Sequence, residues 1–262
     1  MIKLVASDLD GTLLLNGAQS LGPDTCGWIH RLYEEKGILF LAASGRQYGN
    51  LRNLFAPVAD EISYVCENGC LSFYQDELVH RSQMDWETGR DIMRVIEETD
   101  GAEILLSGIH TSYVQPKDMS FFYHMRDVVK NHVTLVEDIY ATEEPYFKIS
   151  VYEKAGVERH ADFWKEKFLD RVNVVVSGNC WLDMMPKGID KGYGMEKLLG
   201  HLGIAPDECV AFGDNYNDRE MLAYVGKPVA VDSAVPEIYQ MCSRHTDTVE
   251  HGLQKILEGK FE

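Results

Sequence analysis

Long apolar runs are missing from this sequence of 262 residues. A membrane-spanning helix needs roughly 20 consecutive apolar residues, and the best run, Ile38 to Ala43, is far shorter. The opening stretch, Met1-Ile2-Lys3-Leu4-Val5-Ala6-Ser7-Asp8, meets an acid before the apolar centre of a signal peptide can form. A cytoplasmic protein with no membrane partner is expected. Positive charge is scarce too: Lys and Arg total 25 against 42 Asp and Glu, for a net charge of −17. Such a surface repels phosphate backbones, which excludes a general nucleic-acid binder. An anionic ligand would have to be held locally, by a metal ion or a few placed cations. Cysteine is sparse, with 6 residues, no CxxC pair and no zinc-ligand spacing to histidine. That excludes a disulfide scaffold and a structural zinc site, and leaves free thiols in a reducing compartment.

What is present is globular. The hydrophobic fraction of 45% and charged fraction of 26% are ordinary for a folded domain, and the length suits one or two domains. Ile2–Ser7, Ile38–Ala43 and Ile62–Cys66 are short apolar runs bounded by turn signals, the mark of buried parallel strands. Helical spacing over Leu21–Lys36, stopped by Gly37, and a helix reaching Leu54 separate them. This β-α-β-α-β rhythm predicts a doubly wound parallel sheet, a Rossmann-like α/β core.

From about Ser82 the rhythm changes. A helix is expected over Asp85–Thr99 and another over Glu158–Phe168. Around them lie alternating, partly polar strands at Glu103–Ser107, Ser112–Gln115, Val133–Val136, Tyr146–Tyr152, Val172–Val176 and Trp181–Met184. Alternation of this kind predicts an antiparallel sheet covered on one face. The α/β rhythm then returns with a helix over Tyr193–Gly203, a strand over Glu208–Phe212, a helix over Arg219–Val225 and a strand over Pro228–Val231. The expected organisation is a discontinuous core, residues 1–82 and 186–262, with an α+β domain inserted at 83–185.

In open parallel sheets, ligands bind beyond the carboxyl ends of the strands. Three apolar strands here end in polar clusters: Asp8 with Asp10, Ser44, and Asp214 with Asn217 and Asp218. Carboxylates gathered at one edge repel one another, and a hard divalent cation is the natural remedy. Asp8 and Asp214 are the best side-chain ligands for Mg²⁺, and the backbone carbonyl of Asp10 is a third. A shared Mg²⁺ points to a phosphorylated substrate. Residues 8 and 10 lie two apart on a nearly extended segment, so both side chains are expected to face the same way. Asp8 can then attack phosphorus, while Asp10, kept protonated by the neighbouring charge, serves as general acid and base. Gly11 allows the tight turn that follows, and Thr12 can lock it by hydrogen bonding.

These residues resemble the motifs of the haloacid dehalogenase superfamily of phosphohydrolases. Asp8-Leu9-Asp10-Gly11-Thr12 is similar to the first, and Ala43-Ser44-Gly45-Arg46 to the second. Asp190-Lys191-Gly192 is similar to the third, and Gly213-Asp214 with Asn217-Asp218 to the fourth, in the family's order. An insertion between the second and third motifs resembles the large α+β cap of the Cof-type subfamily, as do the local patterns Glu67-Asn68-Gly69 and Lys187–Gly192.

The resemblance implies Asp8, Asp10 and Lys191 as catalytic residues. It implies phosphate or substrate contacts from Ser44, Gly45, Arg46, Asn217 and Lys191, and Mg²⁺ held by Asp8, Asp10, Asp214 and Asp218. Arg46 would meet either the substrate or a neighbouring carboxylate. The expected activity is Mg²⁺-dependent hydrolysis of a small phosphorylated metabolite, a sugar phosphate or phosphorylated cofactor, through an aspartyl-phosphate on Asp8. The expected assembly is a monomer or weak homodimer. The alternatives are a phosphomutase or phosphotransferase of the same superfamily and, from another class, a phospho-aspartate switch module. No cap residue matches a motif, so substrate choice is left open.

Overall fold

The structure is a computed structural model that describes residues 1–261. It divides into two compact units, Met1–Arg46 with Leu51–His80 and Asp190–Glu262, and Gln47–Asn50 with Arg81–Ile189. The chain begins with β1 (Leu4–Ser7), α1 (Thr25–Lys36), β2 (Leu39–Ala43), α2 (Tyr48–Leu54), whose first residues are grouped with the second unit, and β3 (Ser63–Cys66). Helix α1 starts at Thr25 rather than Leu21 because Gly22 precedes Pro23, a position biased away from helical backbone. It ends where Gly37 turns left-handed with φ of 62°. A hairpin of β4 (Leu71–Tyr74) and β5 (Glu77–Arg81) follows, absent from the sequence reading. Its turn places both Gln75 and Asp76 at positive φ, the mirror-image turn that suits strand twist, in residues that carry no Gly signal.

The inserted unit carries α3 (Trp86–Glu98), β6 (Ala102–Ser107), β7 (Ser112–Val114), α4 (Met119–Tyr123), β8 (Val133–Leu135), β9 (Lys148–Glu153), α5 (Ala161–Phe168), β10 (Val172–Gly178) and β11 (Trp181–Pro186). The strands form one sheet in the order β10-β11-β9-β6-β7-β8. All its pairs are antiparallel except β7 with β8, a departure from the purely antiparallel sheet expected. One face buries Ile104, Leu106, Ile149, Val151, Leu182 and Met184 against α3 and α5, where Ile92, Ile96, Trp164 and Phe168 are enclosed. On the other face, Phe121 of α4 and Met125 cover Leu105 and Val114.

The chain returns to the first unit through α6 (Lys191–Leu202), β12 (Cys209–Gly213), α7 (Arg219–Tyr224), β13 (Lys227–Val231), α8 (Pro236–Met241), β14 (Arg244–Thr246) and α9 (Val249–Leu257). Its sheet runs β14-β13-β12-β1-β2-β3-β4-β5. Every pair from β14 to β3 is parallel, and β3 with β4 is antiparallel. Side chains alternate faces along each strand. Leu4, Ala6, Leu41, Ala43, Cys209 and Ala211 pack under α6, α7 and α8. On the opposite face α1 packs with α9, whose Gly252 lies so close to the Phe212 ring that a Cβ there would touch it. Helices on both faces make the unit doubly wound. Strand order reverses at β1, with β2 on one side and β12 on the other. The end of β1 is therefore the topological switch point, where open α/β sheets place their ligands. No helix among the described residues is long and apolar enough to cross a membrane.

Candidate active site

Asp8 is the first residue past the end of β1, and its amide donates to the carbonyl of Phe212 on β12, 3.0 Å away. Lys191 is the first residue of α6, and its ammonium is fully buried. A cation at a helix N-terminus opposes the helix dipole, so this ammonium needs acids around it. It has two. Its Nζ lies 2.5 Å from Asp8 Oδ1 and 2.7 Å from Asp218 Oδ1. The other oxygen of Asp218 accepts the amides of Asp214 and Asn215 at 3.0 and 3.1 Å, closing the turn beyond β12. Asp214 accepts the Thr12 hydroxyl at 2.6 Å, so Thr12 locks the site across from its own turn.

Asp8, Asp214 and Asp218 each bring a carboxylate oxygen within 4.8 Å of the others. One ammonium faces three buried or half-buried carboxyls, and the imbalance shows in their acidity. Burial, and next the Asp218 carboxylate, pushes the Asp8 carboxyl well above its ordinary range, although Lys191 pulls the other way. Burial also raises Asp214, with Asp218 adding to it. Burial alone would lower the Lys191 ammonium, but the carboxylates of Asp218 and Asp8 outweigh it and hold it protonated. Hard oxygen donors with surplus negative charge, gathered at a strand-end crevice, are the donor set a divalent cation such as Mg²⁺ takes.

Glycines make room for this crowding. Gly11 has φ of 100°, and a Cβ there would run into the Asp214 carboxylate. A Cβ on Gly213 would come within 2.7 Å of the Asp218 side chain.

The second expected motif sits at the end of β2. Ser44 is buried, its amide donates to Val65, and its carbonyl accepts the Asn68 amide at 3.0 Å. Its Oγ accepts the amide of Arg46 at 3.2 Å. Gly45 faces Asn68, whose side chain would lie 3.0 Å from a Cβ there. Glu67 and Asn68 both have positive φ, 51° and 54°, and the Arg46 carbonyl accepts the Glu67 amide. Strain of this kind in non-glycine residues gathers at functional loops. Asn217 lies half-buried on the single turn Tyr216–Asp218.

Asp10 departs from the expected orientation. The strand ends at Ser7, so the rule that alternate side chains share a face no longer holds at residue 10. Its carboxylate is turned to the Arg46 guanidinium, with Nη2 to Oδ1 at 2.5 Å and Nε to Oδ2 at 2.9 Å. The charge beside Asp10 is a cation rather than the expected carboxylate.

This crevice has relatives. The haloacid dehalogenase-like hydrolase family matches residues 5–257. The chain belongs to that family. Its inserted α+β unit agrees with the Cof-type branch. The chain is similar to the 5-amino-6-(5-phospho-D-ribitylamino)uracil phosphatase YbjI of Escherichia coli, 25% identical over 98% of this chain and 97% of that one. It is also similar to the HMP-PP phosphatase of Serratia proteamaculans, 28% identical over 100% of this chain and 97% of the relative. In fold it resembles a haloacid dehalogenase-like hydrolase from Bacteroides thetaiotaomicron. There the TM-score is 0.84 at 23% identity, covering 98% of this chain and 100% of that one. The chain is thus a hydrolase whose relatives are phosphatases.

Proposed function

We propose that this hydrolase removes a phosphoryl group from a small phosphorylated metabolite, with Mg²⁺ as cofactor and Asp8 as nucleophile. The observation that carries the reading is the buried Lys191 ammonium bridging Asp8 and Asp218, with Asp214 beside them, at the switch point of the sheet. Asp8, Asp214 and Asp218 fit a divalent cation by donor type, and the backbone carbonyl of Asp10 is a further candidate ligand. A divalent cation held by these residues would offset the negative charge of the transferring phosphoryl group.

Asp8 forms a bond to phosphorus as the ester P–O bond breaks, giving an aspartyl-phosphate. Asp10 gives a proton to the departing oxygen. It then takes one from the water that attacks phosphorus, so that inorganic phosphate leaves and Asp8 is restored. Lys191 keeps the Asp8 carboxylate aimed and offsets charge on the transferring group. Ser44, Gly45 and Asn217 would cradle phosphoryl oxygens. Six free thiols suit the cytoplasm as the working compartment.

The test is phosphate release from a panel led by HMP-PP and 5-amino-6-(5-phospho-D-ribitylamino)uracil, followed by sugar phosphates, with Mg²⁺ and with EDTA. Metal-dependent release that disappears in Asp8→Asn supports the reading. A mutant as active as wild type removes it, and isomerised product without free phosphate would make the enzyme a mutase.

A further inference from the structure

Resting on that reading, Asp10 and Arg46 raise a question of their own. The acid expected to protonate a leaving group is held by a guanidinium through both carboxylate oxygens. Asp10 does not belong to the Asp8, Asp214 and Asp218 group. Its side chain is 56% exposed, whereas that of Arg46 is 22% exposed.

The backbones on both sides are fixed. The Arg46 amide is tied to Ser44 Oγ and its carbonyl to the Glu67 amide. Around Asp10, the amides of Thr12 and Leu14 both return to the Leu9 carbonyl, and the Gly11 amide to Leu14. Any rearrangement of the pair is therefore a rotation of side chains. An exposed ion pair is weak, so breaking it costs little. The guanidinium fork fits phosphate as well as it fits carboxylate, and a phosphoryl dianion carries more charge than Asp10 does.

We propose that Arg46 is a two-position fork. In the free enzyme it holds Asp10 away from Asp8, and phosphoryl oxygens of an arriving substrate replace the Asp10 carboxylate on the guanidinium. Asp10 is released by that exchange, takes up a proton from solvent, and reaches the leaving group as its acid. Arg46 is then a substrate contact that also positions the acid, and Asp10 becomes available only when the site is filled.

The exchange predicts a coupling that can be measured without turnover. The probe is inorganic phosphate, titrated calorimetrically in the presence of Mg²⁺. The proteins are wild type, Asp10→Asn, Arg46→Ala and the double variant. Asp10→Asn removes the competitor and should tighten phosphate by about threefold or more. Arg46→Ala should weaken it by a larger factor. In the Arg46→Ala background, Asp10→Asn should bring no tightening, because there is no fork left to free.

Simple charge repulsion between Asp10 and phosphate would instead tighten binding equally, or more, when Arg46 is gone. That outcome overturns the fork, as does an Asp10→Asn variant with unchanged affinity. In steady-state assays Arg46→Lys, which keeps the charge but lacks the planar two-pronged fork, should raise KM more than it lowers kcat. The reverse split also overturns the proposal. If wild type binds no phosphate, the phosphatase reading fails with it, whereas binding without coupling removes the fork alone.

Discussion

Both units of this protein bury charge, and they do so differently. In the inserted unit, Asp183 faces the Lys148 ammonium at 3.5 Å and accepts the Ser150 hydroxyl at 2.6 Å. Glu153 accepts the Trp164 indole at 3.1 Å and lies 2.7 Å from His160 Nδ1. Each buried acid there is answered by donors in its own neighbourhood. At the end of β1, a single ammonium answers Asp8 and Asp218 while Asp214 adds a third carboxyl. A balanced buried cluster holds the fold, and an unbalanced one is waiting for a partner. Burial of polar groups does not separate the two, since both clusters are buried. The leftover charge does.

The largest effect expected from this contrast is on turnover. Asp8→Asn should lower phosphate release by at least about 10³-fold, since the amide that replaces the carboxylate cannot form the covalent intermediate. Asp183→Asn in the inserted unit should leave metal-dependent release measurable. Equal losses from the two substitutions would erase the distinction drawn between the clusters.

Stability should divide the other way. Lys148→Met takes the ammonium from Asp183 and should cost about 3 kcal/mol in urea unfolding. Adding Asp183→Leu should return much of that loss, because a balanced pair is replaceable by apolar packing. If Lys148→Met unfolds at the same urea concentration as wild type, that pair does not support the fold.

A smaller effect links pH to metal. Asp8 and Asp214 have raised carboxyl pKa values, so the folded protein binds protons there more tightly than the unfolded chain does. Their contribution to stability is complete below the ordinary carboxylate range, near pH 4, and is lost as pH rises through the raised values. Relative to Asp214→Asn, metal-free wild type should therefore lose Tm over that window, and Mg²⁺ should restore most of the loss. A difference that grows in favour of metal-free wild type as pH rises would mean that the acids are not crowded.

The smallest effect concerns the turn after Asp8. Gly11→Ala should lower the Mg²⁺-induced rise in Tm more than it lowers metal-free Tm, because its Cβ meets Asp214. Equal losses would make Gly11 a matter of backbone conformation alone.

Much of this was legible in the sequence. The parallel strands announced themselves as short apolar runs, and β1, β2, β3 and β12 appear within a few residues of where those runs lie. Of the polar residues at their ends, Asp8, Asp214 and Asp218 lie together, with Lys191 between the first and the last. Less legible was whatever depends on turns and tertiary contacts. The β4–β5 hairpin turns on Gln75 and Asp76, neither of which announces positive φ. The segments α8, β14 and α9 are short, and their apolar residues matter only once packed. The orientation of Asp10 was misjudged because strand periodicity was extended past Ser7, where the backbone has already turned. Its pairing with Arg46 across 36 positions is the carboxylate contact left open for that arginine, with a partner that no local pattern names.

The role of Asp8 is tested most directly by a rapid-quench experiment with ³²P-labelled substrate and Mg²⁺. A transient, acid-stable, hydroxylamine-labile label on Asp8 is expected to form before free phosphate appears and to be absent in Asp8→Asn. Phosphate release with no such label on the way, or a label that survives in Asp8→Asn, would contradict that role.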